Sequence, residues 1–332
     1  MLRYIAHRCL VMVPTLLAIS ALVFIIIQLP PGDYLETMMA EMQARGESVD
    51  PARVEALRRD YGLDRPIVEQ YFVWIWGCLQ GDFGWSFEFN LPVADLIGER
   101  MALSVLVSAS TLIFIWVVSF AIGIYTALRQ YSLGDHLATF MGYIGLATPD
   151  FLLALVLMYF ANLWFDIEIG GIMDQEFIGQ PWTADKLISI FEHMWIPVIV
   201  IGTSGTAGMI RRLRANLLDE LQKQYVVTAR AKGLPEGRVI RRYPLRMAIN
   251  PFIADIGNIL PDIVSGVALV SIVMNLETTG KMMLTALRSQ DMYLAGTFLM
   301  FLALLTVIGT LISDLALAAL DPRIRLAGGA TR

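Results

Sequence analysis

Six long apolar stretches alternate with more polar connections along the chain. They cover residues 9–29, 101–128, 136–165, 194–212, 251–275 and 294–320. About 20 mostly apolar residues, each rising roughly 1.5 Å in a helix, cross a hydrocarbon core of about 30 Å. Runs this long cannot build a closed barrel, and lipid satisfies no unpaired backbone group. Each stretch is therefore predicted to be a membrane-spanning helix.

The composition supports a membrane location for the whole chain. Of its 332 residues, 56% are hydrophobic and 17% are charged. So few polar side chains cannot cover a soluble protein of this size, and a bilayer supplies the apolar solvent that is needed. We predict an all-α integral membrane protein with six transmembrane helices.

The first apolar stretch is predicted to be a retained membrane anchor. The start MLRYIAHR is basic, as in a signal peptide, but the apolar part is too long and the exit LPPGD has no A-x-A-like cleavage site. Cys9 lies in this stretch and Cys78 lies in the following connection, so we expect no disulfide bond.

Charge is distributed unevenly over the connections, and this asymmetry predicts the orientation. Residues 30–100 contain six basic and thirteen acidic side chains, and residues 166–193 contain one basic and six acidic. Residues 211–250 contain ten basic and three acidic side chains, and the tail from 321 contains three Arg and one Asp. Because basic flanks stay in the cytoplasm, both termini are predicted to be cytoplasmic (N-in, C-in).

The spans and the charges together divide the chain into four parts. The first is a transmembrane helix over 1–29, and the second is an extracytoplasmic (periplasmic) loop over 30–100. The third is a five-helix core over 101–320 that includes a cytoplasmic loop over 213–250. The fourth is a cytoplasmic tail over 321–332.

The cytoplasmic loop is predicted to contain two helices with a break between them. Gly233 fits the position just after a helix end, and Pro235 cannot continue the helix. RVIRRYPLRMAI then resumes a helix before Asn250 and Pro251. In the first helix, NLLDELQKQYVVTARAKGL, helical spacing predicts one shared face. Its members are Leu217, Leu221, Tyr225, Thr228 and Lys232.

Two interpretations of this basic loop are open. It can be basic only to obey the topology rule and to contact anionic lipid. Alternatively, it docks to a soluble partner, because the small residues Ala229, Ala231 and Gly233 permit close approach of another backbone. A Gly-Leu-Pro turn fixes a shape that lipid attraction does not need, so docking is favoured.

The loop also resembles that of a known family. TARAKGL followed by a basic helix is similar to the cytoplasmic coupling loop of the permeases of binding-protein-dependent ABC importers. The resemblance to the dipeptide/oligopeptide-type branch extends along nearly the whole chain. Its motifs are PPGD at 30–33, YGLDRP at 61–66, GDFGWS at 81–86, PVADLIGER at 92–100, SQDMYLAG (with Asp291) at 289–296 and DPRIR at 321–325. Each motif is weak alone, but their number and order make the match specific.

The resemblance implies partners and contact residues. Two ABC ATPase subunits, a second homologous permease and an extracytoplasmic solute-binding protein are expected, in the inner membrane of a bacterium. ATP and Mg²⁺ would belong to the ATPase subunits, and we expect no cofactor, metal or nucleic acid on this chain, which lipid surrounds. Ala229 and Gly233 would occupy the small positions of the docking helix. The predicted coupling residues are Tyr225, Thr228, Ala229, Arg230, Ala231, Lys232, Gly233 and Leu234.

Enzyme signatures in the sequence are weak. There is no G-x-x-x-x-G-K-[ST] loop to hold nucleotide phosphates. GTSG, with Ser204, matches a nucleophile signature of intramembrane proteases, but none of the three histidines lies in a later helix that could supply the base. We therefore interpret Gly202, Gly205 and Gly208 as residues of close helix packing.

Acidic residues inside predicted spans are candidates for the solute pathway. A carboxylate in hydrocarbon is costly and normally faces protein or a wet cavity. Asp255, Asn258 and Asp262 form one polar stripe at helical spacing on the fifth span, and Asp150 lies near the middle of the third. These residues line the pathway or act as structural pairing groups.

The favoured function is a permease driven by separate ATPases. The alternative is an ion-coupled secondary carrier with Asp255 and Asp262 as the coupling site, although the absence of a visible internal repeat argues against it. The sequence does not identify the solute, since the branch transports peptides, nickel, opines and oligosaccharides. Asp314 lies near the cytoplasmic end of the last span and is expected to pair with Arg323 or Arg325.

Overall fold

The chain is almost entirely helical in a computed structural model that describes residues 2–30, 32–46, 51–60, 62–165, 170–254, 256 and 268–320. A two-stranded hairpin, β1 (Trp85–Ser86) and β2 (Leu91–Pro92), interrupts the helices. The helices are α1 Leu2–Gln28, α2 Tyr34–Ala44, α3 Pro51–Asp60, α4 Ile67–Gln80, α5 Val93–Leu128, α6 Leu133–Ala147, α7 Asp150–Phe165, α8 Ala184–Leu221, α9 Gln224–Ala231, α10 Glu236–Arg242, α11 Pro244–Ala254, α12 Thr279–Arg288 and α13 Met292–Leu320. A 3₁₀ turn spans Gln175–Phe177.

Four of these helices, α1, α5, α8 and α13, are long and apolar enough to cross a membrane. They correspond to the first, second, fourth and last of the six predicted spans. Large apolar side chains are exposed along them, including Leu10, Leu17, Ile113 and Val117. Such exposure is expected of helices whose solvent is lipid. Of the fifth predicted span, 251–275, positions 255 and 257–267 lie outside the described residues.

The third predicted span, 136–165, is not one straight helix. α6 ends at Ala147, α7 begins at Asp150, and the two helix axes differ by 104°. Pro149 lies in this break, has no N–H to continue the helix, and disfavours the helical conformation at the preceding residue. Thr148 is extended accordingly, with φ −88° and ψ 120°. The stretch predicted as one span is therefore two helices, and α6 and α7 form a broken span or a re-entrant loop.

The pair α5 and α8 forms the centre of the fold and packs closely along its length. A Cβ atom on Gly202 would lie 2.6 Å from the Phe114 ring, and one on Gly205 would lie 2.8 Å from Ile115. These distances leave no room for a larger residue, as in other small-residue helix contacts. The predicted packing role of Gly202 and Gly205 is confirmed, whereas Gly208 has open space beside it.

Ion pairs tie α8 to its neighbours at both ends. Near its start, the fully buried Lys186 contacts Glu99 of α5 and donates to the carbonyl of Gln180 at 2.7 Å. Near its other end, Arg214 donates hydrogen bonds of 3.0 and 2.9 Å to the buried Asp135 of α6. A buried charge needs a partner, and here each has one. α8 is thereby fixed to α5 and to α6.

The segment between α1 and α5 is structured rather than an extended loop. Besides α2 and α3 it contains α4, which packs on α1 through Trp74 and Phe24, whose ring centroids are 5.9 Å apart. The β-hairpin follows, with Trp85 opposite Pro92 in an antiparallel pair. The sequence predicted a loop over 30–100 from its charges, and charge counts carry no information on helix packing or strand pairing within it.

α1 packs against α13, and an ion pair joins the two helices. Arg8 Nη1 lies 3.0 Å from Asp314 Oδ2. Arg323 and Arg325, the partners that the sequence suggested for Asp314, lie outside the described residues. The ion pair with Arg8 joins the first span to the last. The sequence did not predict it, because the two residues are about 300 positions apart.

Candidate coupling site

The basic loop after α8 folds into two short helices, α9 and α10, which together with their flanking turns (residues 222–243) we name the elbow. α8 ends at Leu221 and α9 begins at Gln224, after a residue with extended backbone (ψ 147°). The helical face predicted to run from Leu217 to Lys232 is therefore interrupted. No Gly or Pro marks this break, so the periodic pattern continued through it.

A second break, at Tyr243, separates α10 from α11. Tyr243 has φ −116° and ψ −84°, outside the helical region. Pro244 begins α11, a position where Pro is favoured because the first helical N–H needs no partner within the helix. The segment RVIRRYPLRMAI, predicted as one helix, is therefore two, and α11 continues through Pro251.

The turn between α9 and α10 has the shape that the sequence predicts. α9 ends at Ala231 with Lys232 as its C-cap, and Gly233 follows with φ 75°, in the left-handed region that side chains with a Cβ disfavour. The Gly233 N–H donates to the carbonyl of Arg230 at 2.9 Å. Pro235, with φ −62°, precedes Glu236, the first residue of α10. The predicted break is confirmed.

A small apolar core holds the elbow together. Val226, Ala229 and Val239 are buried, and Leu234 and Tyr243 pack partly against them. Ala229, predicted as a small position for a docking partner, is 4% exposed and belongs to this core. Burying one Val side chain contributes roughly 1.5–3 kcal/mol. The core therefore makes α9 and α10 a single unit.

An ion pair bridges α9 and α10. Arg230 donates two hydrogen bonds to Glu236, from Nε to Oε2 at 3.1 Å and from Nη2 to Oε1 at 2.6 Å. These hydrogen bonds hold the pKa of the Glu236 carboxyl below its ordinary value and raise the pKa of the Arg230 guanidinium. Both side chains are therefore charged at neutral pH. Since both are exposed, the pair contributes more to geometry than to stability.

The outer surface of the elbow presents most of the predicted coupling residues. Of the eight, Ala229 is buried, Leu234 is half-buried, and six are exposed. The six are Tyr225, Thr228, Arg230, Ala231, Lys232 and Gly233. α10 adds three exposed cations, Arg238, Arg241 and Arg242. The result is a positively charged surface around a glycine turn.

Sequence reasoning missed the residues that shape the elbow from within. Val226 and Val239 form its core, but their sequence neighbours show no helical pattern strong enough to identify them. Glu236 had a usable signal, because it is the single acid in the basic segment 228–251 and lies six residues after Arg230. A lone acid in a cationic segment indicates a local partner.

Of the four predicted pathway residues, only Asp150 belongs to the described part of the chain. It begins α7 beside the 104° bend, and the Ser204 side chain of α8 lies close enough to interact with its carboxylate. The structure thus gives Ser204 a pairing role between α7 and α8. Asp255, Asn258 and Asp262 lie outside the described residues, so the polar stripe stays a prediction.

The described part of the chain offers no evident site for metal or disulfide chemistry. Within it, no group of three or more His, Cys, Asp or Glu side chains is placed to hold a metal ion. Cys9 and Cys78 are both free thiols.

A buried polar junction joins the β-hairpin to α13. Asp291, which immediately precedes α13, accepts hydrogen bonds from Ser86 Oγ at 2.5 Å and from the backbone N–H groups of Glu88 at 3.1 Å and Leu294 at 3.2 Å. Burial raises the pKa of the Asp291 carboxyl, and these hydrogen bonds oppose that shift. The motifs GDFGWS and SQDMYLAG, distant in sequence, therefore form one structural unit.

Replacing Asp291 by Ala is expected to lower the free energy of unfolding by about 3 kcal/mol, because several buried donors lose their acceptor. Asp82→Ala is the matched control, since the exposed Asp82 accepts the Gly84 N–H as its one hydrogen bond among the described residues, and its loss should cost about 1 kcal/mol. Denaturant titration of the purified chain in mixed micelles measures both. Equal stability of the two variants would show that the junction is not a structural tie.

Comparisons with known proteins match the whole chain to one group. The profile described as "Binding-protein-dependent transport system inner membrane component" matches residues 119–326. The profile for the N-terminal part of such a membrane component matches residues 1–109.

Full-length relatives agree with these profiles. The oligopeptide transport system permease protein AppB of Bacillus subtilis is 33% identical, with 98% of this chain and 99% of the relative covered. A putative peptide permease protein of Brucella ovis is 31% identical, with 98% and 100% covered. The dipeptide transport system permease protein DppB of Escherichia coli K12 is 28% identical, with 98% and 99% covered. The resemblance seen in the motifs is confirmed.

Proposed function

Since the chain belongs to the family of binding-protein-dependent transport system inner membrane components, we propose that its elbow is the surface through which partner ATPases drive transport. Members of this family are the translocation subunits of ABC importers, and ATP and Mg²⁺ belong to separate ATPase subunits. The chain is a membrane permease component rather than an enzyme. One observation carries the docking proposal. The elbow has its own small apolar core and a cationic outer surface, and it follows α8, the longest of the described helices, after a short break.

The proposed topology has six spans, with both termini in the cytoplasm of a bacterium. The four long helices and the bent pair account for five spans, and the predicted span over 251–275 supplies the sixth. The excess of basic residues in 211–250 and of acidic residues in 30–100 supports this orientation. The elbow would then lie in the cytoplasm, and the hairpin junction at Asp291 outside it.

α8 is suited to carry force away from the elbow. Its 38 residues extend about 57 Å at 1.5 Å per residue. Because Arg214 and Lys186 tie it to α6 and α5, those helices move with it. ATP can shift the assembly only by binding one ATPase arrangement better than another.

The proposed complex contains four kinds of component besides lipid. This chain pairs with a second homologous permease, two ATPase subunits lie on the cytoplasmic side, and a solute-binding protein lies outside.

The proposed solute is a peptide or a peptide-like molecule. The relatives named above are an oligopeptide, a putative peptide and a dipeptide permease, and a further relative is named as a glutathione permease. Opines and oligosaccharides are the other solute classes to compare. The solute-binding protein that co-purifies with this chain separates them, because its ligand can be measured directly.

The polar residues of the predicted fifth span are proposed to line the solute pathway together with Asp150. Replacing Asp262 by Asn is then expected to change the uptake rate at least about fivefold, equivalent to about 1 kcal/mol in a barrier. Asp219→Asn, at an exposed site near the end of α8, is the control and should leave uptake unchanged. Uptake into proteoliposomes is measured together with complex assembly by size exclusion. Dissociation of the Asp262→Asn complex would make this residue a structural pairing group instead.

Reconstitution tests the function itself. The permease is placed in proteoliposomes with its ATPase and solute-binding partners, and uptake is measured with and without ATP. We expect uptake to require ATP and to survive collapse of proton and sodium gradients. Uptake that continues without ATP but stops with the gradients would favour the carrier, for which the comparisons give no support.

A further inference from the structure

A groove between α1 and α13 has no part in the function derived so far. Its volume is about 200 Å³; half of the side chains that line it are apolar, and the others are three threonines and the Arg8–Asp314 pair. Arg8 and Asp314 close one end of it, and Ile19 lies toward the other. The groove therefore combines an apolar channel with a charged end.

The length of the groove matches one leaflet of a bilayer. Arg8 and Ile19 are eleven residues apart on α1, which corresponds to roughly 16 Å along the helix axis. Half of a hydrocarbon core of about 30 Å is about 15 Å. When Arg8 lies at headgroup depth, Ile19 therefore lies near the midplane. An acyl chain of one leaflet fits this geometry.

The threonines in the groove leave few hydrogen-bonding groups for a ligand. Three threonines line it, but each hydroxyl donates to a carbonyl of its own helix: Thr15 to Val11 at 2.9 Å, Thr306 to Leu302 at 2.8 Å and Thr310 to Thr306 at 2.8 Å. A satisfied hydroxyl does not call for a polar ligand. The groove therefore suits a hydrocarbon chain better than a hydrated solute.

The charged end favours a phosphate. The Arg8 side chain pairs with Asp314 through Nη1 and is 41% exposed, and a guanidinium has five N–H donors, so it can contact a phosphate while it keeps this ion pair. We propose that an anionic phospholipid occupies this groove, with an acyl chain along α1 and α13 and its phosphate at Arg8. If the N-terminus is cytoplasmic, as proposed above, this lipid belongs to the cytoplasmic leaflet. The rest of the inference does not depend on that topology.

Lipid retention tests the site. The full chain is reconstituted in nanodiscs of equal phosphatidylglycerol and phosphatidylcholine, extracted gently, and analysed by native mass spectrometry. We expect phosphatidylglycerol to be retained about fivefold over phosphatidylcholine, because one arginine near an anionic surface contributes about 1 kcal/mol. Thr310→Trp should fill the groove and remove retention. Ile312→Trp, on an exposed side chain of the same helix that does not line the groove, should retain lipid normally.

A second variant separates the headgroup contact from the chain contact. The double change Arg8→Gln and Asp314→Asn leaves a neutral polar pair, so α1 and α13 stay together while the preference for phosphatidylglycerol falls to about one. Retention that is equal for both lipids in the unchanged chain, or unaffected by Thr310→Trp, would overturn the proposal. So would a cross-link from the Thr310→Cys thiol, carrying a thiol-attached photo-cross-linker, to a second permease chain, which would make the groove a protein interface. ATP-dependent uptake is measured separately, so loss of this site leaves the role of the elbow testable.

Discussion

Replacing Gly233 by Trp is expected to abolish ATP-driven uptake while the chain still inserts in the membrane. A Cβ at this position meets nothing within 4 Å in the chain itself, so any steric block arises between the elbow and a partner. Losing a central contact of an interface costs at least about 2 kcal/mol, which weakens binding about 30-fold. ATPase co-purification and uptake by the reconstituted complex measure the effect.

Gly46→Trp is the matched control for this change. Gly46 also has positive φ, 77°, and open space around it, but it lies between α2 and α3, far from the elbow in sequence. Both variants carry the same backbone strain of about 1–2 kcal/mol, so only the Gly233 variant should lose the ATPase. Gly233→Asn, which tolerates the left-handed conformation, should keep most binding. Unchanged ATPase binding by Gly233→Trp would count against docking at this turn.

Replacing Val239 by Asp is expected to uncouple ATP hydrolysis from uptake. Val239 is fully buried in the small core of the elbow, and an unpaired carboxylate there costs several kcal/mol, more than so small a core contributes. The elbow should open locally, and uptake should fall at least about tenfold, equivalent to about 1.4 kcal/mol. Limited proteolysis between residues 222 and 243 should become faster. Uptake and cleavage are measured on the same reconstituted complex.

Two variants identify the cause of that loss. Val227→Asp places the same charge on an exposed side chain of α9, so proteolysis of the elbow should stay slow. Val239→Ile keeps an apolar side chain in the core and should preserve most uptake. If Val239→Asp transports normally while its elbow is cleaved faster, a rigid elbow is not needed for coupling.

The sequence predicted the spans well where apolar length alone decides them. α1, α5, α8 and α13 follow from long apolar runs, and the turn at Gly233 follows from a glycine, which tolerates positive φ, and from Pro235, whose ring fixes φ. Pro149 itself signals the bend, but the apolar run continues through it. A Pro inside a predicted span does not show whether the helix kinks or ends there.

Contacts between distant segments were beyond the sequence. Arg8 and Asp314 lie at opposite ends of the chain, and Asp291 joins a hairpin about 200 residues earlier. Nothing local distinguishes Lys186 as a buried cation, because its partner Glu99 becomes a neighbour only when α5 packs against α8. The helix break before α9 also has no local cause in Gly or Pro.

Cross-linking from the elbow tests the central claim most directly. In a chain with Cys9→Ser and Cys78→Ser, a single Lys232→Cys side chain projects from the exposed turn. In the assembled, transporting complex this thiol should cross-link to an ATPase subunit, in a yield that changes with bound nucleotide, and should react only with reagents that enter the cytoplasm. A thiol that stays free in the transporting complex, or that a membrane-impermeant reagent labels from outside the cell, would contradict the account.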